Sequence, residues 1–126
     1  MIKKEGLGWR IILDSSRNHF SSLIGGETWA IELNQAEWEN LVKVVIDLTN
    51  QYKAVKGQLM GEEDITLELE RSPWLAILKG DQYGWDIKLI LSANGLLNRG
   101  AEVYWPRNVT TDVVNAMRTM WDSGYL

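Results

Sequence analysis

The run NQAEWENLVKVVIDLTNQYKAVKGQL, Asn34 to Leu59, decides how the rest of the chain is arranged. Asn34 and Glu37 have the Asn-x-x-Glu spacing of a capping box, in which each side chain satisfies a backbone N–H that the first helical turn leaves unpaired. Trp38, Leu41, Val45, Leu48, Tyr52, Val55 and Leu59 then recur at alternating intervals of three and four, which stacks them along one side of a helix. Glu39 precedes Lys43 by four residues, the favourable order for a surface pair. Gly57 and Gly61 weaken the last turns. At about 1.5 Å per residue the element measures roughly 35 Å, enough to cross a sheet and project beyond it. An apolar stripe that outlasts its sheet needs a partner. Tyr52, Val55 and Leu59 are therefore the candidate protein interface, for a homodimer or for docking on another protein. The competing expectation folds this tail over Leu96 and Leu97 within the monomer. Ile46, outside the stripe, is expected to be exposed or in a subunit contact.

Working outward, the flanking segments read as strands. Trp9, Ile11 and Leu13 alternate with Arg10, Ile12 and Asp14, Phe20–Ile24 is a weaker candidate, and Trp29, Ile31 and Leu33 face one way from Thr28 onward. Residues 1–8 are polar, with Gly6 and Gly8, and read as a lead-in. After the helix, Ile65, Leu67 and Leu69 alternate with Thr66, Glu68 and Glu70, whose acidic side should face water. Ser72-Pro73 marks a bend or an edge. Trp74–Lys79, Trp85–Leu91 and Ala101–Trp105 continue the pattern, with Asn94-Gly95 as a turn dipeptide between the last two. A shorter helix is expected to start after Asn108 or Thr110 and to run to about Asp122, with Gly124 past its end. The class is α+β: antiparallel sheet packed against one long central helix and one shorter C-terminal helix. Turns, rather than crossover helices, join the strands. The rhythm of strands then helix occurs twice, so pseudo-repeat halves 9–60 and 64–123 are expected within a single domain, 1–126.

The 126 residues are 45% hydrophobic, which supports a real core, and include seven tryptophans, read mainly as large core side chains. Net charge is -4 from 13 basic and 17 acidic residues; seven and nine of these fall at or before Glu63, six and eight after it. No basic lobe hides under the acidic total, which disfavours nucleic-acid binding. There is no cysteine, hence no disulfide, thiolate or cysteine metal site. Lys3 and Lys4 are followed by no apolar run with a cleavage signal, and no stretch is apolar enough to span a bilayer, so a cytoplasmic protein without membrane attachment is expected.

Catalytic chemistry is sparse. His19 is the one histidine; Ser21 and Ser22 are near it along the chain, but a triad needs geometry rather than proximity. One histidine leaves zinc only carboxylates to complete its shell. Glu68 and Glu70 share a strand face and are read as solvated. The glycine pairs lack the lysine and the strand-to-helix setting of a phosphate loop. No catalytic, cofactor or metal residue is assigned, and a non-enzymatic protein-interaction or scaffold module is expected. The alternative is single-stranded nucleic-acid binding through a basic-aromatic patch of Arg99, Tyr104, Trp105 and Arg107, since aromatics stack on bases and arginine holds phosphate.

Several stretches in order carry a resemblance: Ile2-Lys3-Lys4-Glu5-Gly6-Leu7-Gly8-Trp9-Arg10, Leu23-Ile24-Gly25-Gly26-Glu27, Trp29-Ala30-Ile31-Glu32-Leu33, Glu37-Trp38, Leu67-Glu68-Leu69-Glu70 and Met120-Trp121-Asp122. Over essentially the whole chain they resemble a small uncharacterised family of cyanobacteria and plastids, a domain of unknown function. That resemblance implies the fold of the single-stranded-DNA-binding transcriptional regulators, which include the Whirly proteins and the positive cofactor four coactivator. The lysine-rich strand of the Whirly proteins has no counterpart: Thr66-Leu67-Glu68-Leu69-Glu70 and Asp86-Ile87-Lys88-Leu89-Ile90 stand at the nearest positions.

Overall fold

In the computed structural model, which describes residues 1–93 and 99–122, the order four-strands-then-helix occurs twice. Strands β1 (Ile2–Gly6), β2 (Trp9–Leu13), β3 (Ser22–Gly26) and β4 (Ala30–Leu33) form one antiparallel sheet and lead into helix α1 (Gln35–Lys56). Strands β5 (Ile65–Arg71), β6 (Trp74–Gly80), β7 (Trp85–Leu91) and β8 (Ala101–Trp105) form a second sheet and lead into helix α2 (Arg107–Asp122). The Asn94-Gly95 turn, the fold-over onto Leu96 and Leu97, and Gly124 lie outside the described residues.

Residues 2–6 are a strand rather than a lead-in. Gly6 pairs with Trp9, which leaves Leu7-Gly8 as a two-residue turn, and Gly8 takes the left-handed backbone that turn needs, at φ 80°. The polar side chains hid β1 because an edge strand is held by its backbone ladder to β2 and has little to bury. The second helix begins at Arg107, directly after Pro106, earlier than expected. Thr110 is no cap: it is buried, and its hydroxyl donates to the Trp85 carbonyl, tying α2 to β7.

The capping box of α1 is complete. The Asn34 side chain accepts from the Glu37 N–H at 2.8 Å, and the Glu37 carboxylate accepts from the Asn34 N–H at 2.9 Å. Trp38, Leu41, Val45 and Leu48 are buried. The helix lies on β5 and β6, parallel to β6. Near its start the Glu37 carbonyl accepts from Trp74 Nε1 at 2.9 Å; near its end Tyr52 donates to the Asp81 carbonyl at 2.5 Å. Helix α2 packs on β7 and touches β2 and α1. Ile46 is half-buried instead of exposed, because α2 covers that side of α1: Arg118 donates to Asn50 at 2.6 Å and the Lys43 ammonium sits over the Trp121 ring.

The sheets meet where β4 approaches β8. Trp29 Nε1 donates to the Tyr104 carbonyl at 3.1 Å, Trp105 Nε1 donates to the Gly25 carbonyl at 3.0 Å, and Arg99 donates to the Glu32 carbonyl. The Trp29 and Trp105 rings lie 5.3 Å apart, tilted. Two tryptophans and an arginine thus bridge edges that no strand ladder joins. Among the described residues no helix is long and apolar enough to cross a membrane.

Candidate functional site

The basic-aromatic patch read from residues 99–107 is not one surface. In β8 successive side chains point to opposite faces, so Tyr104 and Trp105 are parted by the backbone. Trp105 is 1% exposed, its ring among the inner-face residues of the second sheet. It cannot stack on a base without unfolding the join between the sheets. Tyr104 is 46% exposed on the outer face and donates to Asp86 at 3.1 Å. Burial, and then the Asp86 carboxylate, push its hydroxyl above the usual tyrosine range.

The two arginines are also engaged. Arg99 stacks on Phe20, 4.7 Å from its ring centroid, and lies 3.5 Å from the Glu37 carboxylate of the capping box. Arg107 pairs with Asp81 at 3.1 Å. The Asp81 carboxyl is held below the usual carboxylate range, first by the Tyr83 N–H and then by the Arg107 guanidinium. Each arginine braces a structural feature: one the start of α1, the other the β6–β7 turn.

His19 is exposed in the turn after β2. The neighbouring serines point elsewhere: Ser22 donates to the Leu33 carbonyl and Ser21 to Gln35. Glu68 and Glu70 are exposed on the outer face of β5. Among the described residues no group of three or more His, Cys, Asp or Glu side chains could hold a metal ion. The recess between α1 and α2, about 240 Å³, is lined by residues including Val42, Ile46, Arg118 and Trp121. It falls short of the roughly 300–1,000 Å³ typical of ligand pockets.

The other candidate surface divides differently. Tyr52 is 2% exposed, its ring 6.1 Å from that of Trp85 and its hydroxyl bonded to Asp81, so it belongs to the core and not to an interface. The sheet reaches further under α1 than the sequence reading allowed. Val55 and Leu59 remain half-exposed, and Met60 beside them is 72% exposed. Four exposed residues on, after Gly61-Glu62-Glu63-Asp64, comes β5, the outer strand of its sheet, paired on one side with β6 and packed beneath α1. Ile65, Leu67 and Leu69 of β5 are half-exposed, whereas Leu78, Ile87 and Leu89 of the same inner face are buried. Apolar side chains at the end of α1 and along β5 thus stand on either side of an exposed acidic turn, next to an unpaired strand edge that sequence spacing could not show because it depends on strand order.

Residues 4–120 match the family described as domain of unknown function DUF1818. The chain belongs to the DUF1818 family. A solved structure, described as that of a protein with unknown function from the DUF155 family from Prochlorococcus sp. NATL2A, is similar to this DUF1818 chain at 76% identity. It covers 96% of this chain and 99% of its own, with a TM-score of 0.93. This match corrects the Whirly-like reading: the related structure is a DUF155-family protein, not a Whirly-type regulator. No curated protein matches the chain.

Proposed function

We propose that this DUF1818 chain is a non-catalytic protein-interaction module whose contact surface is the C-terminal end of α1 together with the free edge of β5. One observation carries the reading: Val55, Leu59 and Met60 leave apolar surface uncovered beside a seven-residue strand whose outer edge is unpaired among the described residues. An edge strand presents a row of free N–H and C=O groups, and side chains beside it supply the apolar anchor that such docking uses. The residues proposed for nucleic acid favour no second reading, since Trp105 is core and Arg99 and Arg107 are bound to carboxylates.

The test is capture of partners from native extract with the wild-type chain and with the double variant Val55→Glu, Leu59→Glu, after thermal melts have shown both to be folded. A protein held by the wild type and lost by the variant is the expected result. Equal capture by both, or none by either, overturns the assignment of this surface. So does saturable binding of a single-stranded oligonucleotide that weakens between about 50 and about 200 mM salt, the signature of a phosphate-binding site.

A further inference from the structure

Resting on that reading, we infer that the occupant of the β5 edge is a second copy of this chain, paired antiparallel about a two-fold axis at Leu67 so that the two second sheets become one eight-stranded sheet. The free edges of a fold are normally guarded by charged side chains, lysine above all, or by proline, bulges or brevity. β1 follows that rule, with five residues and both Lys3 and Lys4. β5 follows it less fully. It has seven residues, no proline and no lysine, and its register with β6 runs unbroken from Ile65 opposite Gly80 to Arg71 opposite Trp74. A long, regular edge with an apolar inner row and no lysine, proline or bulge is open to pairing.

The order of side chains selects a copy of itself as the partner. Pairing about Leu67 sets Leu67 opposite the partner's Leu67 and Ile65 opposite the partner's Leu69, so the half-exposed apolar row continues across the junction. On the outer face it sets Thr66 opposite the partner's Glu68, which keeps carboxylates apart within the ladder. At the strand's end Arg71 falls level with the partner's Glu63, which lies outside the strand with its carboxylate accepting from the Met60 N–H, so opposite charges come near each other at both ends. Asp64 opposite the partner's Glu70 is a like-charge apposition, also repeated by symmetry, and it lies at the solvated rim, where such a pair is weak. The neighbouring in-phase registers fare worse. Centring on Glu68 sets two copies of Glu68 together at the middle of the ladder, centring on Leu69 opposes Glu68 and Glu70 twice within the strand, and centring on Thr66 opposes Asp64 and Glu68 and shortens the ladder, whereas the Leu67 register keeps like charges out of its central pairs; like charges directly opposite destabilise a sheet. The pairing also brings the two α1 helices side by side. Because α1 rests over both β5 and β6, a strand spacing of about 4.8 Å sets the two α1 axes about 10 Å apart, an ordinary interhelical distance.

The experiment has two parts on the full chain. Sedimentation equilibrium at micromolar concentration should show a dimer. Cysteine pairing should then fix its register, since the chain has no cysteine of its own. Thr66→Cys and Glu68→Cys both replace exposed residues, so both variants should fold. Mixed and gently oxidised, they should give the Thr66→Cys/Glu68→Cys disulfide as the dominant product. Either variant alone has its thiols about 7 Å out of step along the strands and should cross-link far more slowly. A strictly monomeric wild type overturns the second-copy inference yet leaves the interaction module standing on the capture result. A dimer whose mixed disulfide is no faster than the single-variant ones overturns the pairing.

Discussion

Replacing Trp105 separates its structural role from any role in binding. Its ring is buried on the inner face of β8, and its indole N–H reaches the Gly25 carbonyl of the other sheet at 3.0 Å. Trp105→Phe keeps most of the apolar volume but removes the donor to the Gly25 carbonyl, which retains its place in the β2–β3 ladder; losing such a bond costs about 0.5–1.5 kcal/mol. Trp105→Ala adds a cavity and should cost about 3–5 kcal/mol. Trp29→Phe removes the comparable donor to the Tyr104 carbonyl, but that bond is exposed, so a loss of about 0.5 kcal/mol or less is expected. Because the rings lie 5.3 Å apart in a tilted arrangement, the double variant should show a coupling of about 0.5–1.5 kcal/mol. Urea unfolding followed by far-ultraviolet circular dichroism measures all four proteins without relying on the tryptophan signal being altered. A Trp105→Phe loss below about 0.5 kcal/mol, with no coupling to Trp29, would refute the view that these tryptophans join the sheets.

Two further perturbations test other parts of the fold. Leu41→Ala and Leu48→Ala empty positions under α1 that are fully buried, and each should cost about 2–5 kcal/mol; losses under about 0.5 kcal/mol for both would remove this helix from the core. Asp81→Asn should lower stability at neutral pH. Because the folded carboxyl titrates below its unfolded value near 3.9, its contribution is fully present above that value and is lost as pH falls through the folded pKa. The gap between wild type and variant, read from urea curves at successive pH values, should therefore close on acidification, and a gap that widens would contradict the assignment.

What could be read in the sequence depended on whether the signal was local. The α1 start was legible because a capping box is chemistry between residues three apart, and β5, β7 and β8 were legible because alternation needs no knowledge of the neighbouring strand. β1 was not, since Ile2–Gly6 becomes a strand through pairing with β2 and the turn at Gly8, neither of which leaves an apolar pattern. The residues of the candidate patch are parted for a related reason. Placing Trp105 with Val103 on one side of β8 and Tyr104 on the other already parts the two aromatics, so adjacency along the chain could not become adjacency on a surface. The interface divided at Tyr52 because the reach of β6 and its turn beneath α1 is a property of the assembled sheet. The half-exposed character of β5 was visible in its alternation, but that it stands at an edge follows only from strand order. That order turns seven ordinary residues into the uncovered surface on which the proposed interaction rests.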